Sequence, residues 1–317
     1  MRSLEPSSWR KSAHWGLLAG GLVLHVLARD AAASPVVDGT RDGAYGAALA
    51  VQTVDTQFGD NFSELDAGYG SIDSGKLYLM LTGNIEANFN ALEIFIDSKA
   101  GGQSSFTSSG NDGANAMNGL VFDAGFTADY HLIARRGNDG GNYRFDFAFA
   151  DLGAVTFSSY ADILGGLTGS NTTGTGVNAV GIEVGYDDSN VAGVSGSTGA
   201  ANQVAAAAVT TGLELGIALS DLDFLGGPIR VMVGVNNSGH NYWSNQFLAG
   251  LVAPQGNLGG DESGGFTGEG AIDMTHFAGD QFFTVVPEPS TFVLAGIGLA
   301  GLASRSRRRV CAPRPGS

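Results

Sequence analysis

Over much of its middle the chain places apolar side chains at every second position, and this alternation restricts the fold more than any other feature. In residues 76–83, Leu77, Leu79 and Leu81 face one way and Tyr78, Met80 and Thr82 the other. In residues 143–149, Tyr143, Phe145, Phe147 and Phe149 share a face against Arg144, Asp146 and Ala148. A period of two is the mark of a strand with one buried face. Residues 64–72, 91–97, 129–135, 182–186, 212–219, 229–235 and 281–286 behave alike. Fifty glycines, with many Asn, Ser and Thr, supply turns and loops between them. The pattern predicts an all-β chain: an antiparallel β-sandwich with long Gly/Asn/Asp loops. One helix is expected over residues 200–209, where alanines favour it. No repeat of 20 to 50 residues is visible, which argues against a solenoid or propeller.

The two ends have a different character. Arg2, Arg10 and Lys11 precede an apolar run from Trp15 to Leu27, followed by Ala31, Ala32, Ala33 and Ser34. Basic, apolar and small-residue regions in that order predict a signal helix over residues 1–33, cut by signal peptidase between Ala33 and Ser34. The run is shorter than the roughly 20 residues a spanning helix needs. At the other end come Pro287-Glu288-Pro289-Ser290, an apolar stretch from Thr291 to Ser304, and Arg305, Arg307, Arg308 and Arg309. Prolines cannot continue a helix interior, and the arginines would stay on the cytoplasmic side of a membrane.

This second arrangement resembles the PEP-CTERM sorting signal of Gram-negative bacteria. The resemblance implies transient insertion of a C-terminal helix into the inner membrane, cleavage near Pro287 to Pro289 by an exosortase, and release to the cell surface or extracellular matrix. It divides the chain into a signal peptide (1–33), a β-sandwich domain (34–286), a sorting signal (287–309) and a short tail (310–317). The tail is a departure, since such signals usually stop soon after the arginines. Gly296 to Gly301 also fits G-x-G-x-x-G, but no strand or βαβ unit accompanies it, and small residues suit a membrane helix.

The middle domain carries 28 acidic against seven basic residues, about 21 net negative charges. That bias repels phosphate backbones and argues against a nucleic-acid partner. The only cysteine, Cys311, lies in the segment expected to be removed, so the mature domain has neither a disulfide nor a thiolate metal site.

A second resemblance covers the domain. Val36 to Tyr45, with its Asp38-Gly39 turn, second acid and aromatic, resembles the opening of carbohydrate-binding module family 9 and DOMON-like sandwiches. Lys76 to Leu79, Leu92 to Asp97 and Leu213 to Leu222 are similar to central strands of that group. It implies a jelly-roll-like sandwich and a polysaccharide ligand. The tryptophan clamp of those modules does not carry over, because Trp243 is the domain's only tryptophan.

Two groups of residues are candidate sites. Tyr242, Trp243, Asn245 and Gln246 concentrate aromatic faces and amides, the mixture that binds sugars; the other reading is a plug for the sandwich end. Asp60, Glu64, Asp66 and Asp97 offer oxygens to Ca²⁺, although Asp and Asn in turns also hydrogen-bond their own backbone. No other cofactor is indicated. There is no H-E-x-x-H or G-x-S-x-G, and the domain's histidines are His131, His240 and His276, so no enzyme is expected. The sequence therefore points to a non-catalytic surface protein that binds polysaccharide, with a purely structural or adhesive protein and a secreted glycan hydrolase as alternatives.

Overall fold

The computed structural model describes residues 33–287. In chain order these form β1 (Ala50–Val51), β2 (Glu64–Asp73), β3 (Lys76–Asn84), β4 (Ala91–Asp97), β5 (Tyr130–Asp139), β6 (Asn142–Asp151) and β7 (Thr156–Tyr160). There follow β8 (Gly169–Thr172), β9 (Glu183–Tyr186), α1 (Gln203–Ala208), β10 (Gly212–Ala218), β11 (Ile229–Asn236), β12 (Trp243–Leu248) and β13 (Phe282–Val285). They build two antiparallel sheets. One has the order β1-β2-β3-β10-β9-β8; the other runs β12-β11-β4-β5-β6-β7, with β13 also pairing β11.

The alternation explains what lies between the sheets. Leu77, Leu79, Leu81, Leu213, Leu215 and Ile217 from one sheet meet Ile94, Ile96, Leu132, Phe147, Phe149 and Val231 from the other in a single apolar cluster. Truncating such a side chain to alanine typically costs about 2–5 kcal/mol. Tyr143, expected on this face, lies at the β5–β6 hairpin end and is 50 % exposed.

The expectation of one wet face fails for the central strands. Tyr78 and Met80, on the opposite face of β3, pack with Tyr45, Ala67 and Tyr69. Phe95 and Ile133, on the outer face of β4 and β5, pack with Phe106, Leu120, Phe122, Leu258 and Met274 from the segments before β5 and after β12. Long connections fold back over both sheets, so the molecule has covering layers that a two-sheet reading omits. The helix is shorter than expected, because the Asn202 side chain accepts from the Ala205 amide and fixes its start.

The signal helix expected before Ala33 and the apolar helix expected after Pro287 lie outside the described residues. Among the described residues no helix is long and apolar enough to cross a membrane.

Candidate functional site

Of the candidate ligand residues Tyr242, Trp243, Asn245 and Gln246, the last three lie on a strand, β12. β12 pairs with the second half of β11, and its side chains serve the fold. Trp243 is fully buried; its indole N–H donates to the Gly270 carbonyl at 2.8 Å and its ring packs against Phe247. Asn245 donates to the carbonyls of Asp55 and Gln255 at 2.7 and 2.8 Å and accepts from the Gln57 amide at 3.1 Å. Gln246 accepts from the Leu65 amide at 2.7 Å and donates to the Val54 carbonyl at 2.9 Å. The two amides thus replace main-chain pairing where residues 54–57 and the start of β2 run past β12. Tyr242 remains half-buried, stacked on Phe58 with its hydroxyl donating to the Gly264 carbonyl. A sugar platform built on Trp243, Asn245 and Gln246 is thereby replaced by packing.

The acidic candidates separate. Asp97 ends β4 in the other sheet and accepts from Arg230 at 3.1 Å. Asp60 is exposed in the turn before β2. Glu64 and Asp66 come together on β2, both nearly free of solvent. A bulge at residues 65–67 sets them there: the register with β3 shifts between Leu65 and Ala67, and bulges re-aim side chains in this way. Gly83 lies opposite with φ +131°, where a Cβ would fall 2.2 Å from the Glu64 carbonyl oxygen. Asn190 bridges the pair, its side-chain nitrogen 3.0 Å from Glu64 Oε1 and 3.1 Å from Asp66 Oδ2. Burial pushes the pKa of Glu64 up to about 7, and burial together with the charge of Glu64 pushes Asp66 up to about 8.

A third cluster escaped the sequence reading. Glu93 on β4 and His131 on β5 face outward from the sandwich, yet both are sealed beneath residues 111–117 and the turn at 237–241. His131 Nε2 donates to Glu93 at 2.8 Å, and His240 Nδ1 donates to its other oxygen at 2.6 Å. His240 Nε2 lies 2.9 Å from the Asp112 carbonyl and 2.7 Å from Arg135 Nη2, which also reaches the Asp112 carboxylate at 2.6 Å. His131 stacks on Phe95. Burial opposes the charge of Glu93, but the two imidazoles outweigh it and hold the carboxyl well below its usual range. Burial drives His131 the other way and keeps it neutral. For His240 burial is likewise unfavourable, yet Glu93 and Asp112 push its pKa up to about 9. The result is an ionised Glu–His pair with a second ion pair on top. The signal was available in Ala-Leu-Glu-Ile-Phe-Ile-Asp, where a carboxylate interrupts an otherwise apolar strand.

Open space near these groups is small. A cavity of about 130 Å³ is lined by Asp112, Arg135, Asp146, Phe147, Ser159 and Tyr160, and a more open depression of about 350 Å³ by Thr56, Gln57, Gly59, Gly196, Ser197 and Asn257. Neither exposes Glu93 or the histidines as a reacting group would require.

The predicted processing residues fall at the edges. Ser34 hydrogen-bonds Asp73 and Ser74 at the β2–β3 turn, and Ala33 precedes it. Pro287 follows β13 directly after an exposed Val286. Glu288, Pro289 and Arg305, Arg307, Arg308 and Arg309 lie outside the described residues.

Comparison with known proteins gives one positive finding: residues 285–309 match the family described as the PEP-CTERM protein-sorting motif. No curated protein and no solved structure matches the chain, so the resemblance to carbohydrate-binding module family 9 and DOMON-like domains finds no support. The matched segment spans Pro287, Glu288, Pro289 and the arginines from Arg305 to Arg309, and it marks the chain as an exported substrate of a Gram-negative exosortase, transiently anchored in the membrane.

Proposed function

We propose that the domain acts without catalysis as a structural or adhesive component of the cell surface or extracellular matrix, after signal peptidase and exosortase have removed its ends. The observation that carries this reading is the occupation of Trp243, Asn245 and Gln246 by the fold itself. The same holds for Glu93, His131 and His240, whose polar atoms face one another rather than a cleft. A deletion strain tests it. Loss of the protein should weaken surface attachment or matrix cohesion, and complementation with the Glu93→Gln variant, provided it is secreted folded, should restore it fully. A complementation that fails with a folded Glu93→Gln protein would favour the hydrolase.

The second reading is polysaccharide binding, at the depression lined by Thr56, Gln57, Ser197 and Asn257 beside the Phe58–Tyr242 stack. Hydroxyls, amides and an aromatic pair suit a sugar surface. A glycan array probed with the secreted protein decides between the two. Binding that Tyr242→Ala abolishes favours this second reading; an empty array favours the structural one.

A further inference from the structure

β7 and β8 are the outermost strands of their sheets, and the two edges lie together: the Val177 amide donates to Ser158 Oγ at 2.8 Å and the Asn171 side chain to the Ile163 carbonyl at 2.7 Å. Among the described residues β7 pairs only with β6 and β8 only with β9, and residues 156–160 and 169–172 make no other main-chain pairing. An open edge is a template for another strand, and proteins ordinarily blunt it with charge, proline or a bulge. These edges carry none of the three. Thr-Phe-Ser-Ser-Tyr and Gly-Ser-Asn-Thr hold no charged residue and no proline, and the register of each with its neighbour is unbroken. The charge distribution is a separate observation. Residues 152–182, which include both strands, hold one charged side chain, Asp162, against 34 in the rest of the domain. Val155, Phe157 and Val180 are exposed in this stretch.

We propose that a second copy of this chain docks on this edge, β7 pairing antiparallel with β7 of the other copy about a two-fold axis at Ser158, so that the sheet ending in β7 continues from one molecule into the next. Charge selects the occupant. Two copies with about 21 net negative charges each repel one another over their acidic surface, and the uncharged edge is where they can meet. A basic partner would find its counter-charges elsewhere on the domain. The strand is also complementary to itself. Pairing centred on Ser158 sets Phe157 opposite Ser159 of the second copy on the outer face, and Tyr160 opposite Thr156 on the other. The first places a large side chain beside a small one; the second joins an aromatic to a β-branched residue, a favourable cross-strand pair. Such a contact is isologous and closes as a dimer. The pairing names a partner within the structural reading, on which it rests for its purpose.

Sedimentation equilibrium of the secreted protein tests it. The dimer fraction should rise with concentration, and rise further when sodium chloride goes from about 0.05 to 0.5 M, because salt screens the acidic surfaces. Hydrogen exchange at residues 156–160 should slow with concentration, while exchange along β12 should not change. Phe157→Glu and Ser159→Glu alter exposed positions and bring like charges from both copies beside the axis. Each should melt with the parent and weaken dimerisation by about tenfold. Val204→Glu, exposed on α1 beside β1 and β2, should dimerise as the parent does. A parent that stays monomeric up to about 1 mM in high salt would overturn the pairing, as would a dimer that both edge variants retain. A monomeric protein that still restores cohesion to the deletion strain overturns the pairing alone. A dimer whose loss leaves attachment and cohesion unchanged upholds the pairing and overturns the structural reading.

Discussion

At the scale of single residues, buried polar groups carry the account. Trp243 is bonded at its nitrogen and fully buried in one apolar cluster, so Trp243→Ala should cost about 3–5 kcal/mol of stability, read from urea unfolding. Emission from the parent should be blue-shifted and indifferent to added polysaccharide; red-shifted emission that sugar alters would restore the platform. The Glu93 network makes stability depend on pH. His240 has its pKa raised to about 9, so its contribution is complete below the unfolded value near 6.5 and lost as pH rises through 9. Glu214, buried against the Asp38 and Gly39 amides, is pushed up to about 7 by burial. A raised carboxyl binds more protons folded than unfolded, so it too favours the acid side. Glu93, held low, contributes above about pH 4 and loses that contribution on further acidification. The urea midpoint should therefore peak at about pH 4–5 and decline towards pH 9. A midpoint that climbs over that interval would contradict the assignment of charges.

At the scale of elements, what was legible depended on whether the cause was local. β3, β10 and β11 alternate and β4 is a nearly continuous apolar run, and the spans of all four stand almost where the residues alone place them. β12 did not declare itself, because Trp-Ser-Asn-Gln-Phe reads as well for a polar loop as for a strand, and besides its hairpin neighbour β11 its partners, residues 54–57 and Leu65, are distant in sequence. β7 and β8 are short and largely exposed, with too few apolar positions to show a period. The outward burial of Glu93 and His131 was hidden for the same reason: the lid over them comes from residues 111–117 and the turn at 237–241. A prediction belongs here. Gln246 takes the place of a main-chain pairing between β12 and the start of β2, so Gln246→Ala leaves the Leu65 amide and the Val54 carbonyl buried without partners. That should cost about 1–3 kcal/mol, and hydrogen exchange at Leu65 should quicken more than at Leu79 in the core. Equal exchange at both would mean that the glutamine is dispensable.

At the scale of the whole molecule, the ends and the middle tell one story through different physics. The domain holds no cysteine and relies on three apolar clusters, so its unfolding midpoint should be the same with and without reductant. Its acidity, about 21 net negative charges over the expected mature span, keeps it soluble after release. The sorting motif at residues 285–309 begins at the end of β13, so a cut after Pro287 leaves both sheets intact. The measurement that bears most directly on this account is the intact mass of the protein recovered from the medium or matrix of cells that possess an exosortase. The mass should correspond to a chain that begins at Ser34 and ends between Val286 and Pro289. A full-length C-terminus that still carries Arg305 to Arg309 would contradict it.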